Sequence, residues 1–104
     1  MNKLIKDGRV AVLVSRGYGA GFSTWGYSIE GLEFEPTVAQ MVLDKTDPDV
    51  IVEYLEETYP DGGYWGGVED LVVHWVLEGT KFVIDEYDGA ETLMTIEDFH
   101  WSVA

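Results

Sequence analysis

Apolar residues run unbroken through Val10-Ala11-Val12-Leu13-Val14. This β-branched stretch is entered from Asp7-Gly8 and left at a glycine-rich segment, which predicts a buried strand over Arg9–Ser15. From Gly26 to Glu35 the pattern is ambiguous and fits a short strand followed by a loop. Pro36 then suits the first position of a helix reaching about Asp44, with Val38, Met41 and Val42 on one face. Asp47-Pro48 repeats the start signal, an N-cap followed by a first-turn proline, and predicts a second helix over Pro48–Tyr59. Its periodicity puts Ile51, Tyr54, Leu55 and Thr58 on one face and Asp49, Glu53, Glu56 and Glu57 on the other. Past a second glycine segment the period shifts towards two. Leu71–Glu78 and Thr80–Tyr87 flank Gly79 as a hairpin, and Asp88-Gly89 is a tight-turn signal leading to a third run over Glu91–Ile96. Phe99, Trp101 and Val103 make the tail apolar enough to dock or to add an edge strand. The order is β-α-α-β-β-β, a single α+β domain over 1–104 with two short helices against one face of a mainly antiparallel sheet.

Composition changes this picture in two ways. With 46% hydrophobic and 13% aromatic residues, the chain carries a core and is no disordered acidic tail. The absence of cysteine removes disulfides, thiolate metal sites and cysteine nucleophiles, and points to a reducing compartment. The opening residues lack the apolar centre of a signal peptide, and no apolar run approaches a membrane span. The expectation is therefore a soluble, cytoplasmic protein with no membrane partner.

Charge is more informative than composition. The formal net charge is −14, unevenly spread. Lys3, Lys6, Arg9 and Arg16 outnumber Asp7 in the first 29 residues, whereas every other acid of the chain lies beyond, against only Lys45 and Lys81. Such a field repels free nucleic acid and anionic membranes and attracts basic partners.

Against that background, Ser15-Arg16-Gly17-Tyr18-Gly19-Ala20-Gly21-Phe22-Ser23-Thr24-Trp25 stands out. Alternating glycines leave backbone N–H groups accessible, an arginine holds anions through paired hydrogen bonds, and aromatic rings stack on planar groups. The stretch is not G-x-G-x-x-G, and no Gly-Lys-Ser/Thr follows, so dinucleotide-fold and P-loop chemistry are excluded. A second segment, Pro60-Asp61-Gly62-Gly63-Tyr64-Trp65-Gly66-Gly67, has the same glycine-aromatic character without a base. Rings from both segments would sandwich a base if the two met at one end of the sheet. The plainer alternative is a pair of turns whose aromatics complete the core.

Other constellations are weak. His74 alternates with Val73 and Trp75 in a strand, and His100 lies near Asp98; neither has metal-ligand spacing. Asp85, Glu86 and Asp88 lack the twelve-residue loop of a calcium site. No metal, cofactor or catalytic residue is expected.

Small size, acidity, absence of cysteine, the stretch Val14–Trp25 and Glu86-Tyr87-Asp88-Gly89 together resemble an uncharacterised family of small acidic bacteriophage proteins. The resemblance covers most of the chain and carries no activity with it. It implies a setting, the cytoplasm of an infected bacterium, where host-defence proteins are targets. In that setting the residues fit a non-enzymatic counter-defence protein that binds and sequesters a nucleotide-like signalling molecule. Arg16 would hold phosphate, and the amides of Gly17, Gly19 and Gly21 would line the anion. Ser23 and Thr24 would add hydrogen bonds, while Tyr18, Trp25, Tyr64 or Trp65 would stack. A homo-oligomer is expected, because so short a chain has little room for a deep pocket. Two alternatives stay open. One is an acidic mimic of DNA that blocks a basic host nucleic-acid-binding protein through Asp49, Glu53, Glu56 and Glu57. The other is a phosphate-ester hydrolase using a carboxylate-bound metal.

Overall fold

A computed structural model describes residues 2–26 and 29–95. The tail that was expected to dock, with His100, lies outside the described residues, as do Tyr27 and Ser28. Strand β1 is Ile5–Lys6 and β2 is Arg9–Ser15. They are joined through Asp7 (φ 52°) and Gly8 (φ 76°), whose paired positive φ values make a two-residue hairpin turn matched to the strand twist. Two helices follow, α1 at Pro36–Leu43 and α2 at Pro48–Thr58, then β3 at Leu71–Leu77, β4 at Phe82–Tyr87 and β5 at Ala90–Thr95. The ambiguous segment before α1 contains no strand among its described residues; it ends in a 3-10 turn at Leu32–Phe34. No helix among the described residues is long and apolar enough to cross a membrane.

The class is α+β, with all strands antiparallel and divided between two sheets, β1-β2-β3 and β4-β5. β2 lies at the centre of the molecule. Ala11 and Leu13 face a core shared with Val38, Ala39, Ile51 and Leu55 of the helices. Val10, Val12 and Val14 face the opposite way, joined by Val76 and covered by Phe82, Ile84 and Leu93. A strand covered on both faces needs no polar alternation, which explains the unbroken apolar run.

The hairpin expected around Gly79 does not form. β3 pairs with β2, and β4 pairs with β5 alone. Had β4 extended the first sheet beside β3, the valine face of β2 would have stayed in water. Folding β4-β5 across it removes that apolar surface, at roughly 25 cal/mol per Å².

The helices follow the sequence closely. In α2, Ile51 and Leu55 are buried, while Asp49, Glu53, Glu56 and Glu57 are exposed. Thr58, expected on the apolar face, is exposed; Tyr59, just past the helix end, packs against the core in its place. α1 is capped by Glu35, which accepts from the Thr37 N–H at 2.8 Å. The other oxygen of this buried carboxylate accepts from Tyr54 Oη at 3.1 Å and Tyr59 Oη at 2.5 Å, tying α2 to α1.

Burial, then the hydrogen bond to Glu35 and its charge, then Tyr54, push the Tyr59 phenol well above its ordinary value. A raised pKa means the folded state holds this proton after the unfolded chain has released it. The contribution is complete below pH ~10, the unfolded value, and is lost as pH climbs through the folded one. In a phenolate absorbance titration, Tyr59→Phe is therefore expected to remove a late-titrating tyrosine. Removal of an early one would contradict the assignment.

Candidate functional site

Three segments converge where β2 ends. The first glycine segment leaves Ser15; the second enters β3 through a 3-10 turn at Val68–Asp70; the β4-β5 turn, Asp88-Gly89, abuts the first. Leu71 stands opposite Ser15 in the ladder, which brings the second segment beside the first. The Arg16 N–H donates to the Asp70 carbonyl (3.2 Å) and the Gly19 N–H to the Asp88 carbonyl (2.7 Å). Ser15 Oγ donates to the Gly67 carbonyl at 2.7 Å. The two glycine-aromatic segments therefore meet. Phe22 lies against Trp65 with ring centroids 6.0 Å apart, and Trp25 against Tyr64 at 6.3 Å.

At the centre sits Glu91, the second residue of β5, only 2% exposed. Its Oε1 accepts from the Ser15 N–H at 2.9 Å. Its Oε2 accepts from the N–H groups of Phe22 (2.8 Å) and Thr24 (3.1 Å) and from Thr24 Oγ1 (2.5 Å). The loop thus holds a carboxylate of the protein itself, through the amides of Ser15, Phe22 and Thr24 and one hydroxyl, with no glycine amide among these donors. Charge-assisted hydrogen bonds of this kind are roughly twice as strong as neutral ones.

That arrangement redistributes the residues singled out in the sequence. The Thr24 hydroxyl and amide are committed to Glu91. Gly19 donates inward to Asp88, and Gly17 packs so closely on the Asp70 carboxylate that a Cβ there would collide with it. Gly21 is buried and Ser23 half-buried, the latter on the wall of a shallow cavity of about 280 Å³ shared with Thr24, Glu33 and β4. Trp65 is a core residue. Trp25 and Tyr64 are close enough to be a direct aromatic pair, which leaves no space for a base between them. Arg16 and Tyr18 point to solvent, Tyr18 at 77% exposure.

Exposed at this end are Tyr18, Tyr64 and Tyr87, with half-buried Trp25 beside them. Around them lie Asp70, Glu86 and Asp88, all exposed. Glu86 accepts from the Trp25 indole N–H at 3.4 Å and from the Gly89 N–H at 2.6 Å. Aromatic rings bordered by carboxylates suit a cation, because both the ring face and the acid attract positive charge. Among the described residues, no three His, Asp or Glu side chains gather as metal ligands.

Glu91 was missed as a site residue, yet a signal existed. Once Asp88-Gly89 is taken as a two-residue turn, Glu86 must stand directly opposite Glu91, as it does. Like charges across a ladder are destabilising, so one of the pair had to be engaged elsewhere. The other end of β2 also carries unforeseen features. A cavity of about 390 Å³ there is lined in part by Arg9, His74, Trp75 and Thr80.

Comparison with known protein families, with curated proteins and with solved structures finds no match to this chain.

Proposed function

We propose that the protein is a non-enzymatic binding module that engages a basic protein surface with the aromatic, acid-bordered end formed by its two glycine segments. One observation carries this reading: Glu91 takes the amides of Ser15, Phe22 and Thr24 from within, while exposed rings and carboxylates border the loop on its outer side. Tyrosine and tryptophan are the residue types that concentrate binding energy at protein interfaces. The acidic face of α2 adds Asp49, Glu53, Glu56 and Glu57, and the net charge of −14 steers a cationic partner towards the molecule. In an infected bacterial cytoplasm, the setting the sequence resemblance implies, a host protein that ordinarily grips nucleic acid has such a surface.

Sequestration of a nucleotide-like molecule at the same loop is the second reading. It is favoured by Arg16, exposed and without an ion pair among the described residues, next to the exposed ring of Tyr18. A ligand there would lie outside the Glu91 contact and use side chains rather than loop amides.

Native mass spectrometry of the protein recovered from defence-expressing cells separates the two readings, through a protein partner or a small-mass adduct. For the first, affinity is expected to fall steeply between low and physiological salt. Tyr64→Ala is expected to weaken the complex about tenfold or more, and the triple change of Glu53, Glu56 and Glu57 to Gln to slow association. A partner that stays bound equally well to both variants rules out this surface.

A further inference from the structure

We infer a second binding site, at the opposite end of β2, for an anion that carries a planar ring, such as a nucleoside monophosphate. It is independent of the partner-binding reading above and shares no residue with it.

Charge is the first observation. Of the six basic residues in the chain, Lys3, Lys6, Arg9 and Lys81 lie at this end, around the turns that join β1 to β2 and β3 to β4. Lys6 and Arg9 stand directly opposite each other across the β1-β2 pairing, both exposed. Neither has an ion pair among the described residues. Two like charges placed face to face weaken a hairpin, and an external anion would offset that cost.

Shape is the second. The cavity of about 390 Å³, lined in part by Arg9, His74, Trp75, Thr80, Leu93 and Thr95, is within the range of small-molecule sites. A smaller one of about 220 Å³ is lined by Lys6, Asp7, Arg9 and Trp75. Arg9 and Trp75 belong to both, so the two adjoin. Asp7 is the one carboxylate among their described lining residues, in a chain dominated by carboxylates.

Trp75 is the third. Leu71 and Val73 on the same face of β3 are packed against the helix core, whereas Trp75 lies beyond that cover at 37% exposure. Its backbone has no hydrogen-bond partner among the described residues. The Arg16 N–H bonds to the Asp70 carbonyl and the Glu78 N–H to the Gly8 carbonyl, which fixes the alternation of the β2-β3 ladder. By that alternation His74 bonds towards β2, while the N–H and C=O of Val73 and Trp75 point away from the sheet. A ring stacked on the indole can thus meet a backbone donor and acceptor at its polar edge. Lys6 and Arg9 face its phosphate, and His74 and Thr80 border the cavity.

The test uses the whole ¹⁵N-labelled protein, titrated with AMP, GMP, CMP and UMP, and with adenosine and inorganic phosphate as separate probes. At least one nucleotide is expected to shift the amides of Lys6, Arg9 and His74 and the Trp75 indole, with both half-ligands weaker by tenfold or more. Arg9→Ala is expected to raise the dissociation constant about tenfold, the usual worth of a charge-assisted contact. Lys6→Ala should act in the same direction, with circular dichroism confirming that each variant folds. The inference is overturned if none of the four nucleotides binds at millimolar concentration. It is equally overturned if shifts centre on residues 16–25, if phosphate alone matches the nucleotides, or if both variants bind as the parent does.

Discussion

Glu91→Ala is expected to lower the stability of the protein by roughly 3–5 kcal/mol, read as a shift of the urea midpoint. The carboxylate accepts four hydrogen bonds from Ser15, Phe22 and Thr24 in a site closed to solvent. Its removal leaves three backbone N–H groups of the first glycine segment without partners, at about 1–3 kcal/mol for each that water cannot reach. A domain of this length has about 5–15 kcal/mol in all. Glu91→Gln distinguishes charge from shape. Its amide oxygen can take over the three donors around Oε2, but its NH₂ then faces the Ser15 N–H, donor against donor. A loss of about 1–3 kcal/mol is expected. Glu69, exposed in the middle of the 3-10 turn before β3, provides the comparison: Glu69→Gln should stay within about 0.5 kcal/mol of the parent. If Glu91→Ala did the same, the carboxylate would not be what holds the loop.

The second large effect is expected at Gly89. This residue closes the β4-β5 turn with φ +86°, and a Cβ there would land on the backbone of Ala20, 2.7 Å from its Cα. Alanine would add about 1–2 kcal/mol for the left-handed conformation. The larger part comes from the collision, since backbone cannot swing aside as a flexible side chain can. Either the turn or the first glycine segment must withdraw, and the Gly19–Asp88 hydrogen bond spans that same junction. A total of about 3 kcal/mol or more is expected for Gly89→Ala, measured by the same urea transitions. Because Glu91 secures the two segments that Gly89 allows to approach, the double variant should cost less than the two single changes together. Full additivity would show that the two residues act on separate contacts.

Much of this fold can be read directly from local chemistry. Pro36 and Pro48 mark where α1 and α2 begin, each with an acidic cap in front, and the glycine after Asp88 marks the turn between β4 and β5. These are short-range effects, and the residues that cause them are adjacent. The partner of β4 was misread for the opposite reason. Gly79 sits where a hairpin turn would, but the valine face of β2 decides the pairing, and that face exists only after β2 and β3 have joined. The first glycine segment reads, from its residues alone, as a site for an external anion held by Arg16 and glycine amides. The carboxylate it holds from within was not legible, since Glu91 is 76 positions from Ser15 and looks like one acid among many. Trp65 was read as a stacking ring, while its neighbours Ile51 and Leu55 claim it for the core. The pairing of Lys6 with Arg9 was not legible, because only the strand register sets them face to face.

The central position of β2 has a consequence for how the chain comes off the ribosome. This strand emerges early, yet both of its covers are made later: α1 and α2 for one face, β4 and β5 for the other. At about 5–20 residues per second, the carboxylate of Glu91 follows Ser15 by about 4–15 s. For that interval the face of Val10, Val12 and Val14 lacks the cover that β4 and β5 give it. β1, two residues long, lines only part of one edge. Newly made chains therefore pass through a sticky, half-clothed stage that the finished protein never revisits, and during it a chaperone or the polyanionic remainder of the chain has to keep neighbours apart.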